Sequence, residues 1–355
     1  MIVPQKSLFL VGPGFIGGSL LVRLKEVRPD LKLSALTRRP EQAQELRDLG
    51  IEPITGSLDD ADIISEQASQ SDIIIHAATA DHLGSALAIV KGIKSRSDKS
   101  KKVVYIHTSG NDEFIGSAKN LPRNASLEEK TLSDLNNTEE IDKRISKDAM
   151  HRQVDGPLRE QMMNPEQEKE HNASVSIMVP PLIYGVGCWQ RLSIQTPMIT
   201  RAMMKKGVVS LPKDLDSRWN AVWIHDLVEA YITLLYELEK HQPGTPQPAY
   251  YVFPAEPRTF LWREHFEAVA SALKKAGHPS ASKEPKELDA ESFYNFIGGN
   301  EGMGYATAFL SIVFGKDNSY TSPDRLILLG FRHKSKGVID SILNGNELDQ
   351  VLAGK

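Results

Sequence analysis

Cysteine is nearly absent: Cys188 is the one thiol in 355 residues. That excludes a disulfide framework and a cysteine-based metal cluster, and Cys188 itself reads as a small buried hydrophobe. Long apolar runs are missing too. The longest, such as "SLFLVG" at 7–12, fall far short of the roughly 20 residues a membrane span needs. The chain enters that run with no basic stretch before it and no small-residue cleavage site after it, so it reads as a strand and not as a signal peptide. Neither sign of charge dominates, and a net charge of −4 gives no reason to expect nucleic acid. Ten histidines fall into no ligand spacing of the HExxH kind, so no metal is expected. What remains is an ordinary soluble composition. It is expected to act in the cytoplasm on a small molecule, as a monomer or a homodimer.

What is present is rhythm. Short Val- and Ile-rich runs at 7–12, 31–37, 52–56, 72–78, 102–109 and 175–180 alternate with amphipathic stretches at 15–28, 40–49, 59–70 and 81–96. Such alternation predicts an α/β fold, a Rossmann-type doubly wound parallel sheet with strands buried on both faces. Residues 1–183 are expected to form the nucleotide domain, with 221–256 returning to it. A smaller, mostly helical substrate region takes 184–220 and 257–355. The polar stretch 111–146 breaks the rhythm. It is read as a lid or an insertion, with the lid favoured because it leaves a strand end where ligands bind in such sheets. Trp189, Met198, Met203, Trp219, Phe293, Phe296, Met303 and Phe309 are candidates for an apolar pocket, although each is more often plain core.

"LFLVGPGFIGGSLLVRL" holds Gly12, Gly14 and Gly17 as G-x-G-x-x-G between a strand and a helix. The first glycine permits the tight turn, the second lets backbone approach a pyrophosphate, and the third lets helix and strand pack closely. Phe15 and Ile16 open the helix whose positive end would hold that pyrophosphate. The second strand ends "LTRRP", Leu36 to Pro40, which includes Thr37, with Arg38 lying 21 residues after Gly17 and no acid available there until Glu41. An acid there would bind a ribose hydroxyl. A guanidinium suits a 2′-phosphate instead, so Arg38 and Arg39 point to NADP(H). The open alternative is that both arginines merely solvate a loop.

These stretches resemble the extended and atypical short-chain dehydrogenase/reductases, including NmrA-like proteins and the NAD-dependent epimerase/dehydratase group. "VGPGFIGG" looks like that family's glycine loop, and "GSLDD" (56–60) like its "GDLxD". The resemblance implies that Ser57 and Leu58 flank the adenine. "IIIHAAT" (73–79) resembles the fourth strand, which places Ala77, Ala78 and Thr79 against the cofactor. "VVYIHTSG" (103–110) resembles the fifth, which ends in the catalytic Ser/Thr, here Ser109. "VPPLIYGVG" (179–187) is similar to the segment that bends over the nicotinamide, with Pro181 and Ile183 beside the ring. "RWNAVWIHDLVEAY" resembles the segment that rejoins the core, with Asp226 expected to cap a helix.

The family's Tyr-x-x-x-Lys is absent. Where it belongs the chain reads "MHRQVD", with His151 and Asp155 in those places, and no tyrosine lies between Tyr105 and Tyr184. The resemblance is closest to fungal-type members that carry the same H-R-x-V-D. In the family the phenol protonates the carbonyl, while the Lys lowers the phenol's pKa and holds the ribose. A spacing of four puts His151 and Asp155 on one helix face. His151 can then give or take a proton near neutral pH, and Asp155 would raise its pKa or bind ribose hydroxyls. A purely structural pair is the bland alternative. Ser109 can orient a carbonyl, and Tyr184 is the nearest phenol to the nicotinamide pocket. Three functions stay open: an NADP(H)-dependent oxidoreductase, a redox-neutral isomerase, cyclase or dehydratase, and an NmrA-like sensor of the cofactor.

Overall fold

The computed structural model describes residues 5–117, 121–122, 124–213, 215–297 and 318–354. Seven strands form its central sheet: β1 (Lys6–Val11), β2 (Leu31–Thr37), β3 (Glu52–Thr55), β4 (Ile73–His76), β5 (Val103–Thr108), β6 (Ala173–Met178) and β7 (Tyr251–Val252). Their order is β7-β6-β5-β4-β1-β2-β3, and every neighbouring pair is parallel. This is the doubly wound α/β arrangement. Its strand order reverses between β1 and β4, and the crevice beyond those two strand ends is where such sheets bind ligands.

Alternation along β1 shows why the sheet is buried on both faces. Leu8 and Leu10 pack with Leu20, Leu21 and Leu24 of α1 (Phe15–Val27), and with Leu227, Tyr231 and Leu234 of a helix at Ile224–Lys240. Phe9 and Val11 point the other way. They meet Ile64 and Ala68 of α3 (Ala61–Gln70), Ile89 and Ile93 of α4 (Leu83–Lys94), and Leu158 of α5 (Arg152–Met162). α2 (Pro40–Asp48) connects β2 to β3. Each large side chain buried this way contributes about 1.5–3 kcal/mol.

After β6 the chain leaves the sheet through a short strand, Leu182–Tyr184, that pairs parallel with Ala221–Trp223. Beyond it lies a third core, built mainly on helices Gln195–Lys205 and Trp262–Lys275. Met203, Trp219 and Phe293 belong to this core, with Met198 and Phe296 packed partly buried against it. Trp189 packs on α1, where a Cβ added at Gly18 would fall 2.5 Å from its ring. Met303 and Phe309 lie outside the described residues. Among the described residues no helix is long and apolar enough to cross a membrane.

Residues 111–146, the expected lid or insertion, pack in their described part against the β7 end of the sheet. Phe114, Leu132 and Ile141 are fully buried, and Leu132–Ser133 pairs with Thr321–Ser322. The Phe114 ring stands edge-on to Tyr251 and Phe253. Asp134, fully buried, accepts the backbone N–H groups of Phe253 at 3.0 Å and Arg325 at 2.7 Å. The segment therefore packs beside the β7 edge of the sheet, and among its described residues Asp112 alone reaches the cleft described below. Asp134→Ala would leave two buried N–H groups unpaired, each costing about 1–3 kcal/mol. It is expected to lower the denaturant midpoint and to speed tryptic cleavage within 124–147. Unchanged cleavage would show that other contacts hold the segment.

Candidate active site

The site begins at the turn from β1 into α1. Gly12 has φ +90°, and a Cβ there would lie 2.5 Å from Ala78 Cα. A Cβ at Gly17 would lie 2.3 Å from the Gly12 carbonyl oxygen. At Gly14 a Cβ would meet nothing within 4 Å. The outer two glycines thus serve close packing, and the middle one leaves bare backbone open to the crevice. Gly14 is also the N-cap of α1, no side chain caps it, and the first turn carries no acid. The helix offers free N–H groups and its positive end to an anion. These residues fit a dinucleotide's diphosphate.

Two cavities meet at Gly12, Gly14 and Ala78. The first, about 450 Å³, is lined by Thr37, Arg38, Arg39, Ser57 and Leu58 among others. Both arginines are exposed, and neither has an ion-pair partner among the described residues. Thr37 donates to Gln42 Oε1 at 2.7 Å, and Gln42 Nε2 donates to the Pro13 carbonyl. Gln42 thereby ties the end of β2 to the glycine turn. Nothing in its sequence setting marks that role. Arg191 was equally hidden. Its Nη1 donates to the carbonyls of Pro13 at 2.6 Å and Gly14 at 3.1 Å, and its Nη2 pairs with Glu45 at 2.9 Å.

The second cavity, about 490 Å³, is lined by Phe15, Ile16, Ala77, Thr79, Ser109, His151, Pro181 and Ile183 among others, with Ile194 and Gln195 from the C-terminal region. Gly17 lies beneath the shared turn. Of the eight apolar pocket candidates, none of the described ones lines this cleft.

His151 holds the cleft's main charge. It has φ +66° and stands as the N-cap of α5 instead of inside it. Its Nδ1 lies 2.7 Å from Asp81 Oδ1, and its Nε2 lies 3.4 Å from Asp112 Oδ1. Burial alone would lower its pKa. The carboxylates of Asp112 and Asp81 outweigh that and push it up to about 10. At neutral pH the ring is therefore a cation with a proton on both nitrogens.

Asp155 is not its partner. The i, i+4 rule holds only between residues that are both helical, and the left-handed backbone turns His151 out of the helix. Asp155 points inward and is fully buried, with no access to a ribose. Ser109 and Glu113 face it, and His107 Nε2 lies 3.7 Å from its Oδ1. Burial raises its pKa, against the pull of Glu113 and Ser109. Burial, together with the Asp155 charge, holds the Glu113 carboxyl well above the usual carboxylate range. Burial keeps His107 neutral, its Nδ1 bonded to Tyr105 Oη at 3.1 Å.

Tyr184 is not brought to the cleft either. Ile183 faces the cleft, so its neighbour on the strand faces away. Tyr184 borders a separate cavity of about 540 Å³ with Lys334, Ser335 and Lys336. Its hydroxyl donates to Glu256 Oε1 at 2.5 Å, and burial pushes its pKa above the phenol range. Asp226 does not cap its helix. It accepts the backbone N–H groups of Lys334 and Ser335.

No family model matches the chain. An oxidase from Acremonium sp., UcsJ, is 25% identical over 234 residues, which span 65% of this chain and 66%, just under two thirds, of that protein. The UDP-glucose 4-epimerase of Thermotoga maritima, solved with UDP-glucose, superposes with a TM-score of 0.65 at 13% identity, covering 98% of this chain and 99% of that one. The dTDP-glucose 4,6-dehydratase of Bacillus anthracis, solved with NAD, gives 0.63 at 10% identity, covering 99% and 97%. The chain shares the doubly wound α/β fold of these epimerase and dehydratase structures. Within that fold the site departs from the Tyr–Lys pattern at both positions.

The His151 ring is expected to titrate near pH 10 by NMR, and Asp81→Asn to move that midpoint downwards. A midpoint near the ordinary histidine value of about 6.5 would contradict the clamp.

Proposed function

We propose that the protein is an NADP(H)-dependent oxidoreductase acting on a small organic carbonyl or imine, or on the corresponding alcohol in reverse. The observation that carries this reading is the placement of a cationic, doubly protonated His151 beside Ser109 in the cavity that continues from the glycine turn. In this reading the α1 N-terminus and Gly14 hold the diphosphate, and Arg38 and Arg39 grip the 2′-phosphate. Ser57 and Leu58 flank the adenine, while Ala77, Ala78, Thr79, Pro181 and Ile183 enclose the nicotinamide end. The bound dinucleotide supplies the redox equivalents.

The protein's part is to place the substrate and move one proton. Asp112 sits a long 3.4 Å from His151 Nε2, so a substrate oxygen can take over that N–H. An acid with a pKa of about 10 matches an unperturbed phenol, also about 10. His151 thus stands in for the family's tyrosine as a donor, with the strength of a phenol that no lysine has tuned. Asp81 keeps the proton on Nδ1, and the bare Nε2 left after transfer regains its proton from the cleft side, where Asp112, its side chain 25% exposed, lies beside it. Ser109 positions the substrate beside it.

The name of the Acremonium relative supports redox chemistry on this chain. The epimerase and dehydratase neighbours favour a second reading, a redox-neutral reaction on the same site. Product formed without net consumption of NADPH would identify it. A mere sensor of the cofactor needs no proton donor in the cleft.

His151→Gln is expected to lower kcat for NADPH-dependent reduction of a carbonyl panel by about 10²–10⁴-fold, leaving NADPH affinity unchanged. The acidic form of His151 is the active one in reduction. The rate should therefore hold through neutral pH and fall as pH rises through about 10. Unchanged turnover in His151→Gln would overturn the assignment.

A further inference from the structure

Beneath Ser109 lies an acidic pair that the proton-donating step does not use. Asp155 is fully buried and Glu113 is 1% exposed. They arrive from different elements, the first turn of α5 and the short turn Asn111–Phe114 that follows β5. The groups around them can be named by element. β5 contributes Ser109, Tyr105 and neutral His107, whose Nε2 is 3.7 Å from Asp155. α5 contributes Arg152, whose Nη1 lies 3.4 Å from Glu113 Oε1, 3.0 Å from Asp142 and 2.9 Å from Tyr251 Oη on β7. His151, at the head of α5, adds a second positive charge nearby.

Two buried carboxylates in contact cannot both ionise against a guanidinium that is already shared with Asp142. The hydrogen-bond pattern points the same way. Glu113 Oε2, both Asp155 oxygens and Ser109 Oγ are buried polar atoms without a partner, and such atoms are costly. One proton between the carboxyls gives them a donor, and the Ser109 hydroxyl is a donor in either case. If Glu113 carries it, Glu113 donates to Asp155. Asp155 then remains an anion, balanced by Arg152 and His151, and draws the Ser109 hydroxyl hydrogen to its other oxygen. The Ser109 hydroxyl, His151 and Arg152 all face Asp155 and favour its anion, so the proton sits on Glu113.

We propose that protonated Glu113 and anionic Asp155 orient Ser109 so that its oxygen lone pairs, and not its hydrogen, face the cleft. Beside the Asp81 and Asp112 carboxylates that hold the imidazolium, the cleft then presents a donor, His151 Nε2–H, and a neutral acceptor, Ser109 Oγ. This rests on the oxidoreductase reading and narrows its substrate class. The molecule it fits carries an O–H or N–H next to the carbon that is reduced, as an α-hydroxyketone does. The hydroxyl donates to Ser109 while the carbonyl oxygen accepts from His151. Glu113 and Asp155 are positioning residues here, acting through Ser109.

Infrared spectroscopy of the ligand-free protein tests the pair. A protonated-carboxyl stretch is expected at neutral pH, lost in Glu113→Gln; its absence from the wild type overturns the proposal. With NADPH, kcat/KM for α-hydroxyacetophenone is expected to exceed that for acetophenone at least about tenfold, the size of one well-made hydrogen bond. Ser109→Ala should abolish that preference. Glu113→Gln, whose amide still donates to Asp155, should keep it, and Glu113→Ala should lose it. Equal use of the two ketones by the wild type, or a preference that survives Glu113→Ala, overturns the proposal. Failure to bind NADPH would sink the oxidoreductase reading but leave the infrared result standing, so the two failures are distinguishable.

Discussion

Everything in this molecule is arranged around a turn too tight for side chains. Between β1 and α1 the backbone passes so close to Ala78 and to itself that a Cβ at Gly12 or Gly17 would overlap neighbouring atoms. That closeness fixes the first turn of α1 directly over the ends of β1 and β4, where the strand order reverses. It also leaves Gly14 bare and the helix's N–H groups unspent. The two cavities that form the cleft exist because they share this one point. Gln42 and Arg191 hold its carbonyls from outside, so the turn is braced by α2 and by the C-terminal region together.

The second organising feature is the left-handed backbone at His151. Had His151 been helical, its ring would have stacked one turn above Asp155 and faced the core. Instead the ring turns to Asp81 and Asp112, and the two residues that stand in for Tyr and Lys part company. One becomes a cation at the cleft wall. The other becomes a buried carboxyl beneath Ser109. The electrostatics of the Tyr–Lys pattern, a neutral acid tuned by a nearby positive charge, are thereby inverted: a charged acid is tuned by negative neighbours.

Much of the fold was legible because its signals are local. Continuous Val and Ile runs such as "DIIIHAA" mark strands covered on both faces, and β4 and β5 form there. The glycine spacing located the turn, and the residues assigned to the cofactor come together around one cleft. What failed was long-range or conformational. In the polar stretch 111–146, Phe114, Leu132 and Ile141 follow no helical or strand period, so nothing local announces their burial. Asp81 and Asp112 as partners of His151 depend on a backbone angle that no spacing announces. Tyr184 shows the same limit in reverse: strand alternation aims Ile183 at the cleft and Tyr184 away from it.

The central claim is that this cleft holds a dinucleotide bearing an extra phosphate, and calorimetry tests it most directly. NADPH and NADH would be titrated into the unaltered protein and into Arg38→Ala. The account predicts that NADPH binds at least about tenfold more tightly than NADH, as a charge-assisted contact of about 1.5–3 kcal/mol requires, and that Arg38→Ala narrows the difference. No heat with either dinucleotide, or equal affinity for both in the unaltered protein, would contradict it.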